Sequence, residues 1–301
     1  MSPLRPLDWR GAVTALLLAA IWGANPVAIK IGLADAPPLR LAFMRFVLGA
    51  LVILAYARLI RHPDLFDVRP GEWRVLITMG VLFSAQIASM NVGIGLTTAS
   101  HGAVLLNSYA VHAVILAHFM IPGDRLTPAK LAGVLIAYGG IVLLFGRNFS
   151  LAGETLVGDL VVAGSAVLLA ERSVYMARAF QKFDPIKLLL FQSAVGSVIF
   201  LLASLALERD VPTRYTGSLA ASLFFQGAVV AGFNFIVNTH LYRIYLASAL
   251  TTCSLTSPLF GVLVAAAVTG DRLEPALLLS SLMVAAGIGL SVRRQPVRGP
   301  A

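Results

Sequence analysis

The sequence predicts an all-α integral membrane protein, with ten transmembrane helices arranged as two inverted five-helix repeats. Three observations carry that prediction. The 301 residues are 58% hydrophobic and only 12% charged, with mean hydropathy +0.85, whereas soluble domains hold about 45–50% apolar and about 25% charged residues. The apolar residues fall in runs of about 20, the length that spans roughly 30 Å of hydrocarbon at 1.5 Å per residue. And GDRLTP at 123–128 returns as GDRLEP at 270–275, about half a chain later.

Ten runs read as spans: about 11–33, 38–60, 73–95, 98–121, 128–146, 157–180, 186–207, 217–240, 245–268 and 275–292. With no water in the bilayer core each must satisfy its own backbone groups, so helices are expected. A barrel would alternate over segments of about ten residues, and LAGVLIAYGGIVLLFG (131–146) does not alternate. The first run follows Arg5 and Arg10 as a signal peptide would. It continues past Asn25-Pro26 to Lys30 and has a counterpart in the second half, so it is expected to stay as a span. About 15 of the 23 Lys and Arg fall in the two tails and the 2–3, 4–5, 6–7 and 8–9 loops, against about 6 in the opposite loops. The positive-inside rule then puts both termini in the cytoplasm. The basic residues stand singly, so the net charge of +9 is expected to orient the chain, and no nucleic-acid partner is expected. Cys253 is the single cysteine, which leaves no intrachain disulfide.

The repeated hexapeptide is local helix punctuation. Gly123 and Gly270 suit the left-handed position after a helix end, Pro128 and Pro275 suit a first turn, and Thr127 can cap. That reading explains one copy and not the spacing of 147. The same shift lays FMRFVLGALVILAYA (43–57) over LFQSAVGSVIFLLAS (190–204), with Gly49 on Gly196 and Arg45 on Gln192. A shift of 148 lays TTASHGAVLL (97–106) over YLASALTTCS (245–254). The chain therefore reads as a tandem duplication, residues 1–150 and 151–301. Five spans per copy is odd, so the copies enter the membrane in opposite senses. Inverted repeats belong mainly to secondary transporters, whose substrate site lies near mid-membrane where the halves meet.

AAIWGANPVAIK (19–30), RLAFMRFVLGALVIL (40–54), the two GDRL turns and the Gly-rich spans after them resemble EamA-type members of the drug/metabolite transporter (DMT) superfamily. The resemblance covers nearly the whole chain. It implies a ten-helix, 5+5 inverted-repeat carrier with a central cavity, moving amino acids and other small metabolites, often outward. Two departures stand out: the acidic turn of such proteins usually reads G-E-R, and their sixth span commonly carries Trp-Ala where Glu171-Arg172 stand here, in LLAERSVY (168–175).

Ionisable residues at membrane depth mark a pathway or a pair. Asn25-Pro26 interrupts the first span, either as a kink or as cavity lining; the repeat places Asn25 on Arg172. Glu171, Tyr175 and Arg178 share one helix face. Glu171 can bind a substrate ammonium or take up a coupling proton, or it can pair with Arg45. Arg45 can bind a carboxylate through its fork or snorkel to the interface. His101, Ser108 and His112 form one stripe, and histidine can relay protons near neutral pH. Gln86 and Asn234 correspond under the repeat, Asn238 follows Asn234 by four, and Gln192 takes Arg45's equivalent position. These amides either line a cavity or tie helices together. Trp22, Phe43, Tyr109 and Tyr175 can flank a cavity. Small-residue stripes such as Gly133-Ala137 and Ser281-Ala285-Gly289 are read as helix packing, and spans five and ten can also support a dimer.

The substrate-binding residues expected are thus Asn25, Arg45, Gln86, His101, Ser108, His112, Glu171, Arg172, Tyr175, Gln192, Asn234 and Asn238. No metal site is expected, for no His pair at i, i+4 and no thiol cluster occurs, and no cofactor or catalytic residue is assigned. There is no G-x-x-x-x-G-K-[ST] phosphate loop, so energy must come from a gradient or from the substrate itself. The expected function is a secondary carrier exporting amino acids or similar small metabolites by alternating access, with protons as the candidate coupling ion. Import of small organic metabolites stays open as the alternative. An intramembrane enzyme is the weaker one, since Ser108 and His112 on one helix are the only nucleophile-base pair in view. The expected location is a bacterial inner (plasma) membrane, as a multi-pass monomer or weak homodimer in the lipid bilayer.

Overall fold

The computed structural model of the chain describes residues 8–62, 65–120, 126–150, 155–179, 182–245, 250 and 253–292, and among these there is no β-strand. Helices fall on all ten apolar runs. The first half holds α1 (Trp9–Leu33), α2 (Pro38–Leu59), α3 (Glu72–Gly95), α4 (Ala99–Asn107), α5 (Tyr109–Met120) and α6 (Pro128–Ser150). The second holds α7 (Leu156–Ala179), α8 (Pro185–Leu207), α9 (Gly217–Leu223), a π-helical stretch (Phe224–Asn234), α10 (Phe235–Ile244), α11 (Ser257–Thr269) and α12 (Pro275–Val292). Among the described residues six segments are long and apolar enough to cross a membrane: α1, α2, α3, α4 with α5, α8, and α9 onward to Asn238. The apolar parts of α6, α11 and α12 are shorter. α7 is 24 residues long but carries Asp159, Glu171, Arg172 and Arg178. Large apolar side chains such as Leu135, Val142 and Leu202 stand exposed on the outside, which suits lipid as solvent.

The helix ends follow from local chemistry. Pro38, Pro128, Pro185 and Pro275 open α2, α6, α8 and α12, where a missing N–H costs nothing. Asp8, Thr98, Asp184 and Thr216 accept backbone N–H groups of the first turns that follow them. Gly270, in the second GDRL turn, ends α11 with φ +74°, the left-handed cap the sequence predicts. Its counterpart Gly123 lies outside the described residues. Three long spans depart from a continuous α-helix. The fourth is broken at Ser108, the eighth turns π-helical over Phe224–Asn234, and the ninth is interrupted before Ser257.

The most extensive packing is between the halves: α6 on α12, α3 on α7, α2 on α8, and α1 on α11. Small residues allow it, as in any bundle held by van der Waals contact and not by expulsion of water. Ser280 donates to the Gly140 carbonyl at 2.7 Å, and a Cβ on Gly287 would stand 2.5 Å from the Gly133 carbonyl oxygen. The small-residue faces of spans five and ten are thus used against each other. At the centre, Phe46 and Phe83 of the first half meet Phe200 of the second, with ring centroids 4.5–6.2 Å apart.

The repeat is visible in equivalent contacts at opposite ends. Call the end where α1 begins the near end. At the far end, Arg40 donates to Ser204, Val211, Thr213 and Glu208, while Glu208 caps α2 through the Leu39 and Arg40 N–H groups. At the near end, Lys187, 147 residues on, donates to the Asp67 carbonyl and to Glu72. Asp35, in the α1–α2 turn, accepts from Thr216 at 2.5 Å and Ser218 at 2.8 Å and pairs with Arg214 at 3.0 Å. The Thr216 hydroxyl first, then Ser218 and Arg214, hold its carboxyl below the usual 3.8. A folded value that is depressed stabilises the fold above the unfolded value, and that stability is lost as pH falls through the folded one. Thermal stability in detergent is expected to drop below about pH 4. Asp35→Asn should flatten that acid limb; an unchanged limb would assign it to other carboxylates.

Candidate functional site

A cavity of about 340 Å³ lies between the halves toward the near end. Its wall takes Trp22 from α1, Asn107 and Tyr109 from either side of the α4–α5 break, and Asn234 and Asn238 from the end of the π-helix and the start of α10. Ser254 and Ser257 come from the interruption before α11, and Ile288 from α12.

The two interruptions are repeat-equivalent. Ser108 Oγ donates to the Leu105 carbonyl at 2.6 Å, and Thr256 Oγ1 donates to the Cys253 carbonyl at 2.6 Å. Donors and acceptors are both 148 apart. Asn107 Nδ2 adds a bond to Ala103 O at 2.7 Å. Short polar side chains that take i−3 and i−4 carbonyls compete with the helical ladder, and such a bond sits at each interruption. Non-helical backbone at membrane depth is tolerated where it lines a cavity, and discontinuous helices near the midplane are how carriers build substrate sites. Opposite them, the π-helix offers the kind of local irregularity often found at functional sites.

The far end is closed by bonds between the halves. Asp159, fully buried at the start of α7, accepts from Thr97 Oγ1 at 2.5 Å and faces His101 Nδ1 at 3.0 Å. Asp271, from the GDRLEP turn, accepts the Ser100 N–H at 2.8 Å. Lys30 Nζ reaches the carbonyls of Ile94, Gly95 and Thr97 at 3.1, 3.0 and 2.6 Å, a cation at the negative end of α3.

Of the residues singled out from sequence, Asn234 and Asn238 lie in the cavity wall, and Asn234 also donates to Leu18 O at 3.3 Å. Ser108 forms the α4–α5 break. Asn25 is buried one turn beyond Trp22, with Oδ1 unpartnered. Gln86 ties α3 to α7, exchanging bonds with Ser165 at 3.3 and 2.9 Å. Gln86 and Asn234 thus make equivalent interhelical ties in the two halves. His101 sits at the far end beside Asp159 and away from the His112 stretch of the stripe. His112 is buried edge-on to Tyr138, ring centroids 5.4 Å apart. Arg45 is 4% exposed and donates to Gln226 Oε1 at 2.9 Å. Arg172 lies over the Phe83 ring at 5.1 Å. Glu171 is half-buried and among the described residues makes no ion pair with Arg45 or any other cation. Tyr175 packs beside Leu76, Met79 and Leu188. Gln192 is buried with Oε1 unpartnered. Trp22 and Tyr109, expected to flank a cavity, are in its wall.

Asn107, Gln226, Asp159 and Lys30 were not singled out. Asp159 had a signal, an acid inside the apolar run LVGDLVVAG (156–164). Its partner His101 is 58 residues away, and no spacing rule joins them.

The EamA-like transporter family matches the chain twice, over residues 9–146 and 156–293. A probable amino-acid metabolite efflux pump of Escherichia coli is 26% identical over 300 residues, covering 94% of this chain and 95% of its own. An uncharacterized transporter of Archaeoglobus fulgidus is 27% identical over 234 residues, covering 74% and 78%. One solved crystal structure shares the fold with a TM-score of 0.68 at 20% identity, covering 93% of this chain and 94% of that one.

Proposed function

The chain belongs to the EamA-like transporter family, and from that premise we propose that it is a secondary carrier exporting amino acids or similar small metabolites across a bacterial inner membrane. Ten spans cross the bilayer in this reading, with both termini cytoplasmic, so the near end faces the cytoplasm. The observation that carries the proposal is the polar cavity walled by both halves, beside two interrupted spans. Contacts between the halves stand at both ends: Asp159, Asp271, Asp35 and Glu208 at the far end, Lys187 with Glu72 and Tyr245 with Asp8 at the near end. A carrier needs such a cavity and end contacts that open in turn. Rocking the halves would loosen one set while the other holds, and the equivalent contacts of an inverted repeat supply both. Protons are the proposed coupling ion, with His101 and Asp159 exposed to the outside only when the far end opens.

Purified protein in liposomes should move members of a panel of amino acids and small metabolites, faster with a pH gradient than without. Glu171→Gln should lower flux by at least about fivefold with insertion and melting temperature unchanged. A panel that does not move at all would overturn the carrier.

A further inference from the structure

Arg45 stands about a third of the way along α2 and Arg172 about two-thirds of the way along α7, and among the described residues neither meets a carboxylate. Arg45 spends one N–H on Gln226 and lays its guanidinium 4.3 Å from the Phe46 ring centroid. Arg172 lies over Phe83, whose ring meets Phe46 edge-on at 4.5 Å. Two guanidiniums thus flank one aromatic pair. The Nε atoms of both are buried without a partner.

Buried charge is retained only when something compensates it. Aromatic faces and one amide leave the Nε donor of each guanidinium without a partner. Glu171 follows α7 about 100° around from Arg172 and does not compensate it. Among the described residues the cavity wall offers amides, hydroxyls and three aromatic rings and no acidic side chain, so it holds no counter-charge for a substrate ammonium. Neither arginine is itself in the cavity wall, and the link runs through Arg45's partner. Gln226 lies on the π-helix about one turn from Val230 of the wall.

We propose that Arg45 and Arg172 form an anion-binding site and that the preferred substrates are small organic molecules bearing two carboxylates. Each fork takes one carboxylate through paired N–H donors, the geometry guanidinium offers and ammonium does not. The proposal deepens the carrier reading and rests on it for the route from the cavity.

The test uses the full chain in two settings: proteoliposome counterflow with succinate, glutamate, leucine, lysine and glycerol 3-phosphate, and thermal unfolding in detergent with the same compounds. Succinate and glutamate should exchange at least about tenfold faster than leucine or lysine, and Arg45→Gln or Arg172→Gln should remove that preference and the succinate-induced stabilisation. Where a Gln variant does not fold, Arg45→Lys or Arg172→Lys replaces it; charge without the fork should weaken succinate binding several-fold. Leucine moving as fast as succinate, or folded variants that bind and move succinate like the parent, overturns the anion site and leaves the carrier standing. No flux with succinate stabilisation retained overturns the carrier and leaves the site. No flux and no stabilisation overturns both. Stabilisation by glycerol 3-phosphate alone overturns the carboxylate assignment.

Discussion

Replacing Gly261 with valine is expected to prevent the bundle from closing and to abolish flux. At this point α1, α4 and α11 cross with backbone against backbone. A Cβ on Gly261 would stand 2.7 Å from the Gly23 carbonyl oxygen and 2.5 Å from the Ala103 Cβ. A Cβ on Gly23 would stand 2.3 Å from the Ser257 carbonyl oxygen and 2.9 Å from the Gly261 nitrogen. These neighbours are backbone or the first side-chain atom, so none can swing aside. Overpacking a close-packed core costs about 1–3 kcal/mol when side chains can adjust, and here helices must separate. That separation would also displace Ser257, which lines the cavity. Gly261→Ala should fold with a lowered melting temperature. Gly164→Ala on α7, where a Cβ meets nothing within 4 Å, should match or slightly exceed the parent by about 0.5–1 kcal/mol. Melting followed by size-exclusion chromatography checks all three. A Gly261→Val protein melting within a few degrees of the parent would mean the crossing is looser than its geometry.

The parts of this fold legible in the sequence are those set by local physics. Apolar run length fixed where helices lie, proline marked their starts, and Gly270 marked an end. The repeat was legible because equivalent residues keep equivalent jobs, as Arg40 and Lys187 do at opposite ends. Which polar residue faces the cavity was not legible, for a membrane core accepts a polar side chain as readily for a tie between helices as for a substrate. Gln86 and Asn234 correspond in sequence and both tie helices, yet Asn234 alone of the two is in the cavity wall. His101 and His112 share a helical stripe, but eleven residues put them about 16 Å apart along the axis, so His101 meets Asp159 at the far end while His112 packs on Tyr138. The π-helix left no sequence mark that distinguishes FFQGAVVAGFN from an α-helix.

The largest expected effect on conformation comes from Asp159→Asn. This carboxylate is fully buried and receives Thr97, His101 and Thr155 of the far end. The amide keeps the shape, loses the charge and presents two donors where acceptors are needed. A hydrogen bond to a charged group is worth about 1.5–3 kcal/mol. In the opposite state of the carrier the same carboxylate would meet water and lose little by becoming an amide. The difference falls on the far-end-closed state alone, so the balance should shift by about tenfold or more toward opening. Thr98→Cys, placed at the cap of α4 in a Cys253→Ser background, reports the change as its maleimide labelling rate from the side opposite the termini. Asp159→Asn should raise that rate by about tenfold while lowering flux, because a carrier biased to one state turns over slowly. Asp271→Ala, which frees the Ser100 N–H, should raise it less, since one backbone donor can turn to water. A labelling rate unchanged by Asp159→Asn would show that the far end is held shut by packing around Gly93 and Gly158, where a Cβ would meet Val162 and Leu96 at 2.7 and 2.5 Å, and not by charge.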